Sequence, residues 1–229
     1  MRRLSVADRI AYVSDAPFPP YVQLCNFLPV DDHRGLVDWV LTAARRFKPA
    51  AVRSRQAGAK NRVDTSFRVA LINTDLGPLR PAIEGRLQNS LSDIMRGTGY
   101  RGEEPRSLEL ELAAHGDGAH FNAHSDLPIG EGRGPLGAAP GEDRVISAVL
   151  YFYDEPKGFS GGCLRLFRFG AASEADRAQP ENFVDIEPLQ NSLVAFPSWA
   201  THEVRHVSCP SKRFEHYRFA LNCWYCRRL

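Results

Sequence analysis

His124, Ser125 and Asp126 form an H-x-D triplet, an imidazole and a carboxylate separated by one residue. On an extended backbone, residues two apart point to the same side, so both groups face a common point. A second histidine brought in by a distant strand would complete a 2-His-1-carboxylate set. Such a set leaves three positions open on an octahedral metal, enough for a bidentate co-substrate and dioxygen. Imidazole and carboxylate suit Fe(II), whereas thiolates would favour zinc or iron–sulfur chemistry. Alone, H-x-D is a weak signal, since a surface histidine beside a turn aspartate reads the same way.

The segments that follow, in order, strengthen it. Arg144 opens RVISAVLYFY, then come SGGCLRLF at 160–167, VDIEPLQNSLVAFPSWATHEV at 184–204 and RFALNCW at 218–224. Over roughly residues 105–226 this succession resembles the prolyl 4-hydroxylase-like branch of the Fe(II)/2-oxoglutarate dioxygenases, most of all the oxygen-sensing prolyl hydroxylases. The resemblance implies a double-stranded β-helix, a jelly-roll or cupin-like barrel with supporting helices, in an α+β chain. It implies His124, Asp126 and His202 as the iron ligands and the catalytic set. It implies Arg218 as the anchor of the far carboxylate of 2-oxoglutarate, Tyr151 as a hydrogen-bond donor to the same carboxylate, and Leu164 as an apolar wall. A planar guanidinium suits that anchor because it takes a carboxylate bidentately. Fe(II), 2-oxoglutarate and O2 are the implied cofactors, with ascorbate as a candidate re-reductant of the iron.

Alternation along the last strand puts Arg218, Ala220, Asn222 and Trp224 on one face. For Tyr151 and Leu164 ordinary barrel core is the competing reading. Two departures from the family stand out. A tyrosine that precedes H-x-D in the family is missing, and His115 is the residue that stands in its place. The stretch Ser208–Tyr217 lengthens the interval between His202 and Arg218, and if Lys212 or Arg213 were the anchor the strand register would differ.

His202 also opens H-E-V-R-H, a zinc-protease pattern that requires a helix to put both histidines on one face. Pro197, Pro210 and the β-favouring Trp199, Thr201, Val204 and Val207 argue for extended structure. His206 then belongs at the barrel mouth, His120 is near enough to line the site, and His33 reads as surface.

These residues need elements to position them. Leu36, Trp39, Val40, Ala43 and Phe47 share a helical face behind Asp31 as a candidate cap. Leu79, Ile83, Leu87, Leu91 and Ile94 repeat the pattern up to Gly97. Strands are expected at Ser107–Ala113, Val145–Tyr153, Cys163–Phe169, Leu193–Phe196 and Arg218–Tyr225. Helices followed by strands give a helical support over about 1–105 and a catalytic core over about 105–229, within one domain. Leu127–Asp143, with five glycines and three prolines, is either a tolerated insertion or a lid. Arg45–Arg68, with eight basic residues and Asp64 as its acid, is either a solvated face or a substrate-contacting hairpin.

The chain has 229 residues, 43% hydrophobic and 24% charged, as a packed core requires. A net charge of +2 gives no argument for nucleic acid or membrane partners. No apolar run is long enough to cross a bilayer and the N-terminus does not read as a signal peptide, so a cytoplasmic location is the default. The odd count of five cysteines, including the Cys223/Cys226 pair, makes neither a disulfide framework nor a four-ligand zinc site. The expected reaction is hydroxylation of an unactivated C–H bond with release of succinate and CO2. A prolyl residue of a protein or peptide is the preferred substrate, and a free amino acid or small metabolite the alternative. A catalytically silent binding barrel would be expected to have lost a ligand or the anchor, and all are present.

Overall fold

The computed structural model describes residues 10–13, 17–51, 63–127 and 142–228. The chain runs β1 (Ile10–Val13), β2 (Tyr21–Cys25), α1 (Val30–Thr42), β3 (Lys48–Pro49), β4 (Arg68–Val69), β5 (Leu71–Asn73), α2 (Arg80–Asn89) and α3 (Leu91–Gly97). It continues with β6 (Ser107–His115), β7 (His120–His124), β8 (Glu142–Phe152), β9 (Ser160–Gly161), β10 (Leu164–Phe167), α4 (Glu174–Ala178) and β11 (Phe183–Ile186). The last four strands are β12 (Ser192–Pro197), β13 (His202–Val204), β14 (Val207–Ser208) and β15 (Arg218–Arg228).

Two antiparallel sheets carry the structure. Eight strands pair in the order β1-β2-β12-β8-β15-β6-β5-β3, and five in the order β11-β10-β13-β7-β4. The two-residue periodicity of the strands divides the large sheet cleanly. Leu110 and Leu112, Ile146 and Leu150, Leu193, and Phe219 and Leu221 pack in one cluster with Leu36, Val40, Ile83, Leu87, Leu91 and Ile94 of the helices. The alternate residues Tyr151, Val194, Phe196 and Ala220 pack instead with Leu164, Leu166 and Ile186 of the small sheet. Helices therefore cover one face of the large sheet and the small sheet covers the other. Each fully buried aliphatic contributes roughly 1.5–3 kcal/mol, so both interfaces favour one arrangement strongly.

Several expectations change. Among the described residues the two sheets face each other without closing into a hydrogen-bonded barrel. The first hundred residues are not only helical: β1, β2, β3 and β5 extend the large sheet and β4 the small one. Pro29, not Asp31, precedes α1, with no side-chain cap, while Asp31 and Asp32 lie in the first turn, where the helix dipole favours anions. Phe47 is buried beyond the end of that helix. The second helical pattern is broken at Ser90 into α2 and α3. Gly97 is there for close approach, since a Cβ would lie 2.5 Å from Val22 Cβ, and the left-handed residue is Gly99 at φ +67°. Residues 128–141 of the Leu127–Asp143 loop, and 52–62 of the Arg45–Arg68 segment, lie outside the described residues, and Asp143 is already part of β8.

Candidate active site between the sheets

The cavity between the two sheets is built by adjacent strands. His124 is the last residue of β7, and β13 pairs with it so that His202 lies directly opposite. The chain leaves the strand at Ser125, and the Asp126 amide donates to the Ser198 carbonyl at 2.9 Å. Asp126 Oδ1 is thereby held 3.8 Å from His124 Nε2, and Oδ2 3.7 Å from His202 Nε2. One ligand atom from each of the three lies within 4.8 Å of the others, a geometry able to hold one metal ion.

The surroundings fix the chemistry of these groups. His124 Nδ1 donates to the Asn122 carbonyl at 2.7 Å and His202 Nδ1 to the Ala200 carbonyl at 2.9 Å. Both Nε2 lone pairs are left turned to the shared point, as metal-ligating imidazoles require. Burial, followed by the neighbouring His202, pulls the His124 ring down to about 3, so it is neutral at physiological pH. Burial alone would raise the Asp126 carboxyl, but His202, His124 and the Ser147 hydroxyl hold it at about 2. Ser147 Oγ donates to Asp126 Oδ2 at 2.5 Å and lies 2.9 Å from Ser198 Oγ. Sequence reasoning missed Ser147, although it shares the face of Tyr151 four residues on.

Arg218 opens β15 in register with His115 of β6. Its side chain is 1% exposed as part of a buried residue, yet among the described residues no carboxylate pairs with it. Its Nη1 donates to His115 Nδ1 at 3.1 Å, and its Nε is buried without a partner. Burial, then the Arg218 and Arg68 charges, hold the His115 ring well below its ordinary range, so it is neutral and accepts. The Arg218 guanidinium lies 4.8 Å from the Tyr151 ring centre. The Tyr151 hydroxyl is also buried without a hydrogen-bond partner, and burial pushes it up to about 12, so it remains a donor. Leu164, Phe196 and Trp224 complete the wall. A buried cation without a counter-ion is costly, and an unpaired buried hydroxyl beside it adds to the cost. This end of the cavity therefore suits a ligand carboxylate. The donor set at the other end, two imidazoles and a carboxylate, suits Fe(II).

All eight residues singled out from the sequence, His124, Asp126, His202, Arg218, Tyr151, Leu164, His115 and Trp224, line this one cavity. Arg213 is exposed and pairs with Glu215, and Lys212 lies in the same outer loop, so neither reaches it. His120 does not line the cavity; its ring stacks on exposed His206 at 4.6 Å. His33 is half-buried rather than surface, with Nε2 lacking a partner. The H-E-V-R-H segment is a strand followed by extended chain, which separates His206 from His202 as a helix would not. Arg68, read within a basic run, proves to be a cavity residue whose side chain is only 11% exposed.

A sandwich of this topology with a His-Asp-His set between its sheets is the architecture of a jelly-roll metal-dependent oxygenase. Residues 110–226 match the family model of the 2OG-Fe(II) oxygenase superfamily. The chain is 30% identical over 218 residues to an uncharacterized PKHD-type hydroxylase of Synechocystis sp., covering 94% of this chain and 67% of that protein. In fold it is similar to a prolyl-4-hydroxylase of Pseudomonas putida, with TM-score 0.60, 22% identity and coverage of 93% and 95%. It is also similar to a prolyl hydroxylase of Trichoplax adhaerens, solved with a hypoxia inducible factor oxygen degradation domain peptide fragment, with TM-score 0.60, 19% identity and coverage of 90% and 83%. The chain belongs to the 2OG-Fe(II) oxygenase superfamily. It is an oxidoreductase, a dioxygenase that uses Fe(II), 2-oxoglutarate and O2. No helix among the described residues is long and apolar enough to cross a membrane.

Proposed function

We propose that the chain hydroxylates a prolyl residue of a protein or peptide, acting as a single domain across its whole length. In this reading His124, Asp126 and His202 hold the iron, and Arg218 with Tyr151 binds the far carboxylate of 2-oxoglutarate. The observation that carries it is Arg218, buried in the same cavity as the triad with no carboxylate partner among the described residues. Bound iron with 2-oxoglutarate and O2 supplies the oxidant that hydroxylates an unactivated C–H bond, with release of succinate and CO2. The chain supplies positioning. Ser147 holds the Asp126 carboxylate in place, His115 aims the Arg218 guanidinium, and Leu164 and Phe196 keep water from the inner end. Trp224 offers a flat apolar surface on the same face as Arg218. No side chain is required as a general base. The prolyl assignment is supported by the resemblance of the motif series and by the two prolyl hydroxylase folds.

The test adds Fe(II) and 2-oxoglutarate without oxygen and records the weak visible charge-transfer band of a keto acid chelated to Fe(II). The band should form, disappear in His124→Ala and His202→Ala, and need more 2-oxoglutarate in Arg218→Ala. Aerobic incubation with proline-containing peptides should then add one oxygen to proline by mass spectrometry. No band, together with tight zinc binding, would overturn the iron assignment. A band with oxygen added only to free amino acids would overturn the prolyl one.

A further inference from the structure

The cavity holds two arginines in opposite electrostatic situations. Among the described residues Arg218 has no carboxylate partner. Arg68, on β4, reaches across from the small sheet and donates through Nη2 to Glu111 Oε1 of β6 at 2.8 Å. Asn222 Nδ2 lies 3.4 Å from the same oxygen. The Arg68 guanidinium lies 4.8 Å above the Phe121 ring, which itself stacks on the His124 ring at 3.6 Å. Its Nε is buried with no hydrogen-bond partner.

Its position separates it from the co-substrate anchor. Glu111 is in register with Asn222, whereas His115 is in register with Arg218. Those two levels are four residues apart, roughly 13 Å along the strand. Ser147, which braces Asp126, is in register with Trp224. Arg68 is therefore tied to the stretch of wall beside the metal ligands, where the reacting part of a primary substrate must lie.

The pairing decides what Arg68 can recognise. A carboxylate brought to it would also face the Glu111 charge, and two carboxylates in a poorly solvated site repel each other strongly. Glu111 is not among the cavity-lining residues and is already engaged by Arg68 and Asn222, so it offers nothing to the ammonium of a free amino acid. A guanidinium has five N–H donors, and a neutral carbonyl oxygen can take one of them while Glu111 stays in place. We infer that Arg68 is a specificity residue that donates to a neutral oxygen acceptor of the primary substrate, a peptide backbone carbonyl, and not to a substrate carboxylate. The inference rests on the peptidyl reading above and names the residue that would enforce it.

The probes are N-acetyl-L-proline methylamide, a neutral capped proline, and free L-proline. Each is titrated against the protein loaded with Fe(II) and 2-oxoglutarate without oxygen, and paramagnetic relaxation of the proline ring protons is read. The capped probe should bind about tenfold or more tightly than L-proline. Arg68→Ala and Arg68→Lys should each weaken the capped probe about tenfold or more, the usual weight of a hydrogen bond to a charged group. Glu111→Gln leaves the guanidinium uncompensated and should shift preference toward L-proline, an effect that a merely structural role for the pair would not produce. Equal or tighter binding of L-proline by the unaltered protein overturns the inference. So does unchanged capped-probe binding in both Arg68 variants, or failure of the capped probe to bind. The charge-transfer band is read in every sample: a band without probe selectivity rejects the role of Arg68 alone, whereas no band in the unaltered protein rejects the dioxygenase site itself.

Discussion

At the scale of single residues, the site is a set of two imidazoles and one carboxylate oriented by their neighbours. Ser147 is the closest of these, donating to Asp126 at 2.5 Å. Ser147→Ala should weaken iron binding by about 10- to 100-fold, the usual effect of removing a group that orients a metal ligand. An iron titration followed by the charge-transfer band reads it, and an unchanged affinity would show Asp126 to be held by its backbone alone. Titration of the metal-free protein supplies a second check. His115 and His124 are both held below the ordinary 6.5 of an imidazole, by burial first. In the unfolded chain both rings take a proton near that value, so below it the unfolded state binds more protons than the folded one. Stability should therefore fall as pH drops below about 6.5, by about 1.4 kcal/mol per pH unit for each ring that stays neutral, and for His124 this continues toward about 3. Urea unfolding at several pH values measures the slope, and a flat profile over that window would mean that neither ring is held neutral.

At the scale of elements, the strand pattern that carries Arg218 also needs the turn that precedes β10. Gly161 and Gly162 both take positive φ, +70° and +72°. A Cβ on Gly162 would sit 2.6 Å from Arg218 Cδ and 3.0 Å from its Nε. Gly162→Ala should cost about 1–2 kcal/mol of stability from the left-handed backbone. It should also displace the anchor, raising the 2-oxoglutarate concentration needed for half-maximal band. If unfolding shifts but the co-substrate titration does not, the contact with Arg218 is not what the glycine protects. The same scale shows where periodicity sufficed and where it did not. The alternation of β15 was readable, and it does put Arg218, Ala220, Asn222 and Trp224 on the face opposite Phe219, Leu221 and Cys223. The short strands β4 and β7 were not, because two to five residues carry too little alternation to distinguish a strand from a loop, and β13 showed only as extended chain.

At the scale of the whole molecule, the N-terminal elements are part of the fold that holds the site. Leu36, Val40, Ile83, Leu87, Leu91 and Ile94 share one cluster with β6, β8, β12 and β15. β2 covers the edge of β12, and β5 the edge of β6. A fragment limited to residues 105–229 would expose one whole face of the large sheet and two unpaired edges, a known aggregation hazard. It should fail to unfold cooperatively and should not form the charge-transfer band, read by near-ultraviolet circular dichroism and visible spectroscopy. Cooperative unfolding with a band would show that the segment from β6 onward is a domain by itself.

Residue order alone pointed to the candidate H-x-D pair, the inward face of β15 and the helical faces, because each is written in local spacing: H-x-D two apart, alternation along β15, and apolar residues at helical intervals. It also determined the order in which the motifs arrive. Only the tertiary structure decided what stands opposite what. The pairings of His115 with Arg218 and of Arg68 with Glu111 join residues 103 and 43 positions apart. Nothing in local spacing encodes them, since they depend on the register between β15 and β6 and on the packing of one sheet over the other. The same packing turned Arg68 from one basic residue in a run into a wall of the cavity. It also left Arg218 without a carboxylate partner among the described residues, which makes the cavity suited to a ligand carboxylate.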